Sequence, residues 1–312
     1  MKSAFLFPGQ GAQHIGMGKD IAQEFSEAAA IFQKANSIVG YDLQTVCFDG
    51  PDEKLNSTAI SQPAIFTVTA AILEVMKSRP VTVDMVPAAM AGLSMGEYSA
   101  LYAAGLVSFE DDLLLVKRRG EAMQAASDMS HGGMVCLIGL ENGQVKELCR
   151  EAGAGELLVG VNYNCPGQIV VSGTKAACAR AEQLAEKYGA VKAVPLSVAG
   201  AFHTEMMNSA KEQLGYALKN AQIAEPRDIN VIANINAEYY RSSADIIEGL
   251  QKQLTQPILW QKCMERLMAD GVEEFYEIGP GKVLTGLMKR INRKQKVVNI
   301  SDAASLKKLL GE

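Results

Sequence analysis

Short apolar runs alternate with segments of helical spacing along the first part of the chain. Residues 4–7 and 87–93 are apolar runs that lead into glycine-containing turns, a pattern typical of buried strands. Segments with the apolar spacing and length of helices lie between and after them. These predicted helices cover 17–39, 62–77, 97–104 and 110–126. Strands that alternate with helices predict a parallel sheet covered by helices on both faces.

The middle of the chain has a different order of elements, β-α-β-β-α-β, which is that of a ferredoxin-like unit. The predicted elements lie at 134–140, 143–152, 157–162, 168–172, 175–188 and 191–195. The sequence therefore predicts an α/β fold in two parts. A large α/β-hydrolase-like domain with a parallel sheet is expected over residues 1–129 and 198–312, with a small ferredoxin-like domain inserted at 130–197.

Beyond residue 197 the pattern returns to helices that alternate with strands. The predicted elements are a helix at 204–219, a strand at 230–234, helices at 243–254 and 257–270, and a last strand at 272–278. The turn Gly279-Pro280-Gly281 then leads into a basic helix. These elements complete the large domain.

Composition and charge restrict the classes of function. Of the 312 residues, 48% are hydrophobic and 21% are charged, close to the average of globular proteins. The formal net charge is −5, whereas nucleic-acid binders usually carry a basic surplus. The apolar run before Pro8 is too short for a signal peptide, and no stretch reaches the length expected of a membrane span. We therefore expect a cytoplasmic protein that binds neither nucleic acid nor membrane.

The cysteines indicate neither disulfides nor a metal site. All six are widely separated, with no C-x-x-C pair and no Cys/His cluster. This spacing is typical of reduced thiols in the cytosol. No metal or redox cofactor is expected.

The segment Gly92-Leu93-Ser94-Met95-Gly96 matches the G-x-S-x-G pattern of a nucleophile elbow. Such a turn exposes the serine oxygen, and the backbone N–H of the next residue lies where an oxyanion forms. An ordinary tight turn with an exposed serine is the alternative. The apolar run before the turn and the helical segment after it favour the elbow.

A nucleophilic serine needs a base, and the chain has only three histidines. In α/β folds the base usually follows the serine at long separation, which favours His131 or His203 over His14. His131 precedes Gly132-Gly133 at the predicted domain boundary and is interpreted as a hinge residue. His203 is the better candidate, because the small residues 199–201 would let a substrate approach it.

A glycine-rich turn surrounds Gln10 in the segment Phe7-Pro8-Gly9-Gln10-Gly11-Ala12-Gln13. The flanking glycines let the backbone approach a ligand closely, and the Gln10 amide can donate to an oxyanion. By itself the segment is better explained as a turn that ends a strand. It is not a dinucleotide-binding fingerprint, because the G-x-G-x-x-G spacing is absent.

Together these segments resemble the malonyl-CoA:acyl carrier protein transacylase family. The motifs that carry the resemblance run in the family's order over nearly the whole chain. They are FPGQGAQ at 7–13, GLSMGEYSAL at 92–101, KRRGEAMQ at 117–124, NYNCPGQIVVSG at 162–173, AGAFHTEMM at 199–207 and EIGPGKVLTGLMKR at 277–290. The inserted ferredoxin-like unit is also a feature of that family.

The resemblance implies a role for each of several residues. Ser94 would be acylated, and His203 would be its general base. Gln10 and the backbone N–H of Met95 would form the oxyanion hole. Arg119 would bind the free carboxylate of malonate, for which a guanidinium fork is suited. Its neighbour Arg118 is the alternative, since adjacent helical residues face about 100° apart.

Four further positions follow from the same resemblance. The backbone carbonyl of Gln253 would orient His203, because no acidic residue stands out for that role, and Asn162 would line the pocket. Phe202 matches the malonyl-selecting form of the family and would leave little room for a branch at the α-carbon. Leu93 departs from the pattern, since many members have histidine there, and it resembles some acyltransferases of polyketide synthesis.

The activity that the resemblance implies is transfer of malonyl from malonyl-CoA to the pantetheine thiol of acyl carrier protein. The expected path is ping-pong through a malonyl-Ser94 ester, in fatty-acid synthesis, by a monomer. The alternatives are a polyketide acyltransferase, a serine thioesterase or hydrolase, and a non-catalytic scaffold that binds the carrier protein. Basic residues near the C-terminus offer a docking face for an acidic carrier protein, a site that attracts the phosphates of coenzyme A, or a solvated helix face. They include Lys282, Lys289, Arg290 and Arg293.

Overall fold

A computed structural model describes residues 2–79, 85–198 and 200–312 of the chain. Its strands are β1 Lys2–Phe7, β2 Ala89–Gly92, β3 Gly132–Ile138, β4 Leu158–Cys165, β5 Gln168–Thr174, β6 Lys192–Pro195, β7 Asn230–Val231, β8 Val272–Ile278 and β9 Lys296–Ile300. The helices are α1 Lys19–Glu24, α2 Ser26–Val39, α3 Leu43–Asp49, α4 Asp52–Asn56, α5 Thr58–Lys77, α6 Gly96–Ala103, α7 Phe109–Ser130, α8 Asn142–Gly153, α9 Lys175–Leu184, α10 Asn208–Asn220, α11 Ser243–Gln253, α12 Trp260–Ala269, α13 Val283–Ile291 and α14 Ala303–Leu310. Short 3-10 helices lie at Glu186–Tyr188 and Glu205–Met207.

The larger sheet is parallel, with the strand order β7-β2-β1-β8-β9. β1 is central, and its side chains alternate between the two faces. Phe5 and Phe7 belong to the apolar cluster that contains α5, whereas Ala4 and Leu6 pack in the cluster of Trp260 on α12. Burial of one such phenylalanine contributes about 2 kcal/mol. The sheet is therefore covered on both faces, as the alternating pattern predicts.

The smaller sheet is antiparallel, with the strand order β4-β5-β3-β6. Helices α8 and α9 pack on it around a separate core that includes Val135, Leu137, Leu148 and Val171. The chain order β3-α8-β4-β5-α9-β6 is that of a ferredoxin-like unit. The predicted fold class is thus confirmed, while the domain boundaries at 130 and 197 stay a prediction.

Two predicted elements differ from the structure. The segment 17–39 is two helices, because Phe25 between them is extended, with φ −123° and ψ 117°. The basic helix after Gly281 ends at Ile291, and the chain then adds the edge strand β9. Strand 272–278 is therefore not the last one.

Helix α5 overturns the expectation that no stretch is long enough for a membrane span. Among the described residues, Thr58–Lys77 passes that test by length and composition. Most of its apolar window, 83%, is nevertheless buried inside the protein. Apolar residues surround the whole helix because it packs against α2, α6 and α7 in the core.

Candidate active site

Ser94 lies on a strained turn between β2 and α6. Its φ is 53°, in the left-handed region that a residue with a Cβ rarely adopts. The turn is possible only with glycine on either side. A Cβ on Gly92 would lie 1.9 Å from the carbonyl carbon of Gly96, and a Cβ on Gly96 would lie 2.2 Å from the Phe7 oxygen. The G-x-S-x-G segment therefore has the geometry of a nucleophile elbow.

An asparagine that the sequence analysis missed bridges the elbow. Asn234, fully buried, accepts a hydrogen bond from the Ser94 N–H at 2.7 Å and donates from Nδ2 to the Gly92 carbonyl at 2.7 Å. Both partners lie about 140 residues earlier in the chain. One side chain thus binds the backbone on both sides of the strained residue.

His203 is in hydrogen-bond contact with Ser94. Its Nε2 lies 3.0 Å from Ser94 Oγ, and its Nδ1 lies 2.6 Å from the backbone oxygen of Gln253. A carbonyl can only accept, so Nδ1 carries the proton and Nε2 is left as the acceptor for the serine proton. This tautomer is the one that a general base requires.

The environment keeps His203 neutral. Burial is the main cause that lowers the pKa of His203 to about 3, and the positive charge of Arg119 lowers it further. The hydrogen bond to the Gln253 oxygen acts in the opposite direction. The imidazole is therefore unprotonated at Nε2 at neutral pH.

Arg119 brings a buried positive charge to the nucleophile. The side chain is 1% exposed, and its Nη2 donates to Ser94 Oγ at 3.0 Å and to Gln253 Oε1 at 2.8 Å. Its Nη1 donates to Gln62 Oε1 at 2.8 Å. Arg118, by contrast, is 66% exposed and pairs with Glu121. Of the two arginines that the sequence offered, only Arg119 lies in the site.

Two backbone N–H groups have no protein acceptor among the described residues: that of Met95, which follows Ser94, and that of Gln10, which lines the same cavity as Ser94. The side-chain amide of Gln10 donates instead to Thr58 Oγ1 at 3.4 Å. Gly9 allows the close approach of this loop, since a Cβ there would lie 2.2 Å from the Leu93 oxygen. The Gln10 side chain is therefore turned to Thr58, while the backbone N–H groups of Gln10 and Met95 stay unpaired among the described residues.

A cavity of about 310 Å³ opens over Ser94 between the two sheets. Leu93, Phe202 and Asn162 all line it, as do Gln10, Arg119 and His203. Asn162 Oδ1 is buried there and has no hydrogen-bond partner among the described residues. Ala199, which the sequence analysis counted among the small residues near His203, lies outside the described residues.

Several predicted residues lie outside this cavity. Lys282, at the start of α13, and Lys289, Arg290 and Arg293 are exposed and do not line it. Arg290 donates to Gln168 Oε1 on the small sheet at 3.3 Å. His131 ends α7 in a left-handed conformation, with φ 47°. Within the described residues, no group of His, Cys, Asp or Glu side chains is placed to hold a metal ion.

The chain is similar to known proteins over almost its whole length. The profile of the family described as acyl transferase domain matches residues 4–310. The malonyl CoA-acyl carrier protein transacylase of Bacillus subtilis (strain 168) is 41% identical over 306 residues, which are 98% of this chain and 95% of that protein. The chain belongs to the malonyl CoA-acyl carrier protein transacylase family. The transacylase of Haemophilus influenzae is 40% identical over 97% of this chain and 96% of its own length.

Solved structures of the transacylase family share the whole fold. An acyl carrier protein S-malonyltransferase from Vibrio cholerae gives a TM-score of 0.93 at 39% identity, over 99% of this chain and 100% of that one. A malonyl-transacylase solved in complex with a type II polyketide acyl-carrier protein gives a TM-score of 0.95 at 37% identity, over 100% of this chain and 99% of that one. The family predicted from the sequence motifs is confirmed.

Proposed function

We propose that the enzyme transfers a malonyl group from malonyl-CoA to acyl carrier protein for fatty-acid synthesis, with Ser94 as the acylated residue. The observation that carries the proposal is the buried guanidinium of Arg119, 3.0 Å from Ser94 Oγ. A positive charge at that depth is costly unless an anion compensates it. The acyl group that fits is one with a free carboxylate, as malonyl has.

The first half of the reaction acylates Ser94. His203 Nε2 takes the proton as Ser94 Oγ attacks the thioester carbonyl, and the negative charge on oxygen is stabilised by the N–H groups of Gln10 and Met95. When the tetrahedral intermediate collapses, the C–S bond breaks. His203 then returns the proton to the sulfur, and coenzyme A leaves as the thiol.

The second half reverses these roles with a new thiol. The pantetheine thiol of the carrier protein gives its proton to His203 Nε2 and attacks the malonyl-Ser94 ester. The bond from the acyl carbon to Ser94 Oγ breaks, and Oγ recovers the proton. The Gln253 carbonyl keeps Nδ1 protonated throughout, so the same imidazole nitrogen serves both halves.

Selectivity is assigned to two residues of the cavity. Arg119 binds the malonyl carboxylate by charge-assisted hydrogen bonds in place of its contact with Ser94 Oγ. Phe202, 5% exposed and next to His203, limits the space beside the α-carbon. Asn162 Oδ1 offers an acceptor to the substrate, and Leu93 supplies an apolar wall.

We also propose that the carrier protein docks on the exposed basic residues at and after α13. Lys282, Lys289, Arg290 and Arg293 are exposed, and carrier proteins are acidic, so the charges are complementary. We expect the enzyme to act as a monomer in the cytoplasm, where the carrier protein can reach the cavity. No membrane or nucleic acid takes part in the proposed reaction.

A transfer assay separates the proposal from hydrolysis. The protein is incubated with malonyl-CoA, with and without phosphopantetheinylated carrier protein from fatty-acid or from polyketide synthesis. Malonyl on the fatty-acid carrier, with little free malonate, supports the proposal. Free malonate at the same rate with and without carrier would make the protein a hydrolase. Transfer to the polyketide carrier alone would assign it to the other pathway.

A further inference from the structure

Glu97 is a buried acid beside the site, and the proposed reaction does not use it. It lies three residues after Ser94 in α6 and is 1% exposed. Its Oε2 accepts from the Asn234 backbone N–H at 3.0 Å and from Gln253 Nε2 at 3.0 Å. Its Oε1 accepts from the Tyr240 hydroxyl. All three partners of the carboxyl group are donors.

The two hydrogen bonds that Gln253 Nε2 donates fix the orientation of the side-chain amide. Gln253 Nε2 donates to Glu97 Oε2 and, at 3.1 Å, to the Ser94 carbonyl, so both of its hydrogens are used. The amide oxygen then faces Arg119 Nη2, from which it accepts at 2.8 Å. A flipped amide would place N–H groups against the guanidinium and an oxygen against two acceptors.

Arg119 is therefore held from both ends by glutamine oxygens. Gln253 Oε1 accepts from Nη2, and Gln62 Oε1 accepts from Nη1. Without the constraint from Glu97, the Gln253 amide could rotate and Nη2 would lose its fixed acceptor. The guanidinium fork would then no longer be aimed at the place that a malonyl carboxylate takes.

We infer that Glu97 is a positioning residue for acyl selection: it orients the Gln253 amide, and through that amide it aims Arg119 at the carboxylate of the acyl group. The inference rests on the proposed function of Ser94 and Arg119. It assigns no contact with substrate to Glu97, whose effect passes through Gln253.

Other groups face Glu97 from each neighbouring element. Tyr240 lies after β7, Cys263 is on α12, and Arg119 on α7 contributes a positive charge. Burial is the largest cause that raises the pKa of Glu97 to about 7, against the hydrogen bonds and Arg119, which lower it. A protonated Glu97 could donate to the Tyr240 oxygen and still accept from Gln253 at Oε2. The orientation of Gln253 is thus kept in both protonation states.

This geometry separates two substitutions of similar size. Glu97→Gln can keep a carbonyl oxygen towards Gln253 and turn its NH₂ to the Tyr240 oxygen, so it mimics the protonated acid. Glu97→Met fills the same space but accepts no such hydrogen bond. Gln253→Met removes the amide from the other side and leaves the backbone carbonyl that orients His203 in place.

The test measures kcat/KM for acylation of Ser94 by malonyl-CoA and by acetyl-CoA in each folded variant. The malonyl-to-acetyl ratio should fall about tenfold or more in Glu97→Met and in Gln253→Met, since each releases a hydrogen bond to a charged group. Glu97→Gln should restore most of the ratio. The double variant Glu97→Met/Gln253→Met should fall no further than Gln253→Met alone.

Two results would overturn the inference. One is an unchanged malonyl-to-acetyl ratio in Glu97→Met, which includes equal losses for both acyl groups, and the other is additive losses in the double variant. If Glu97→Met does not fold, an unchanged ratio in Gln253→Met refutes the inference just as well. Malonyl transfer by the unmodified protein is measured first, so failure of the proposed function is seen separately from failure of the role of Glu97.

Discussion

The imidazole of His203 is oriented by a backbone carbonyl, with Nδ1 2.6 Å from the Gln253 oxygen. A carbonyl cannot take up a proton at any working pH, so the tautomer of His203 does not depend on the ionisation of a partner. The carbonyl also carries only a partial charge, so it stabilises an imidazolium less than a carboxylate would. Burial and the positive charge of Arg119 therefore outweigh the opposing effect of this hydrogen bond, and the pKa of His203 is lowered to about 3.

The first prediction concerns the protonation of His203. The imidazole should stay neutral, with the proton on Nδ1, from about pH 8 down to about pH 5, because its lowered pKa lies below that range. Nitrogen-15 NMR of labelled histidines can show this, since the chain has only three and His203→Gln identifies the resonance. Titration of His203 between pH 6 and 7, or a proton on Nε2, would contradict the assigned geometry.

The second prediction concerns the base. His203→Ala should slow acylation of Ser94 by about a hundredfold to ten-thousandfold, because the serine proton then has no positioned acceptor. Stopped-flow mixing with malonyl-CoA measures the step directly. His131→Ala serves as the control, since His131 does not line the cavity and its variant should acylate Ser94 at the normal rate. Similar losses in both variants would remove His203 from the role of base.

The third prediction concerns the carboxylate. Arg119→Ala should reduce kcat/KM with malonyl-CoA at least about a hundredfold more than with acetyl-CoA, since only malonyl loses charge-assisted hydrogen bonds. The exposed neighbour gives a matched control, and Arg118→Ala should change neither value. Equal losses with both substrates in Arg119→Ala would mean that Arg119 does not bind the carboxylate.

Most of the candidate catalytic residues could be named from the sequence because their motifs are local. The G-x-S-x-G segment specifies its own strained turn, and the small residues before His203 mark a place for substrate. Gln62 and Asn234 gave no such signal. Neither belongs to a recognisable motif, and the partners of each lie 57 or more residues away, so spacing carries no information about them.

The differences in the fold have a similar cause. The apolar spacing continues through Phe25, so the sequence pattern hides the extended residue that separates α1 from α2. In β9 the alternation of apolar and polar residues is weak, because the strand lies at the edge of the sheet and Ile300 is its only fully buried residue. No strand was therefore predicted after the basic helix.

The fourth prediction concerns the elbow. Gly92→Ala should lower the free energy of unfolding by about 3 kcal/mol or more, or prevent folding, because its Cβ would lie 1.9 Å from the backbone of Gly96. A Cβ on Gly143 in α8 would meet nothing within 4 Å, so Gly143→Ala should leave stability unchanged or raise it slightly. Denaturant unfolding compares the two. Equal stability of both variants would show that the elbow is not as tight as described.

The fifth prediction uses the raised pKa of Glu97. The pKa is raised from 4.5 to about 7, so the folded chain holds more protons than the unfolded chain between these values. The contribution of Glu97 to the free energy of unfolding therefore falls as pH rises through that range. Between pH 5 and pH 8, the free energy of unfolding of Glu97→Gln should therefore rise by up to about 3 kcal/mol relative to that of the unmodified protein. Urea unfolding at both pH values measures it, and a constant difference would contradict the raised pKa.

In the proposed reaction, Ser94 carries the malonyl group between two thiols. Mass spectrometry after brief incubation with malonyl-CoA, followed by peptide mapping, shows whether Ser94 is acylated. We predict one malonyl adduct per chain, on Ser94, that is absent in Ser94→Ala and disappears when phosphopantetheinylated carrier protein is added. An unmodified Ser94, or an adduct on another residue that transfers to the carrier equally well, would contradict the account.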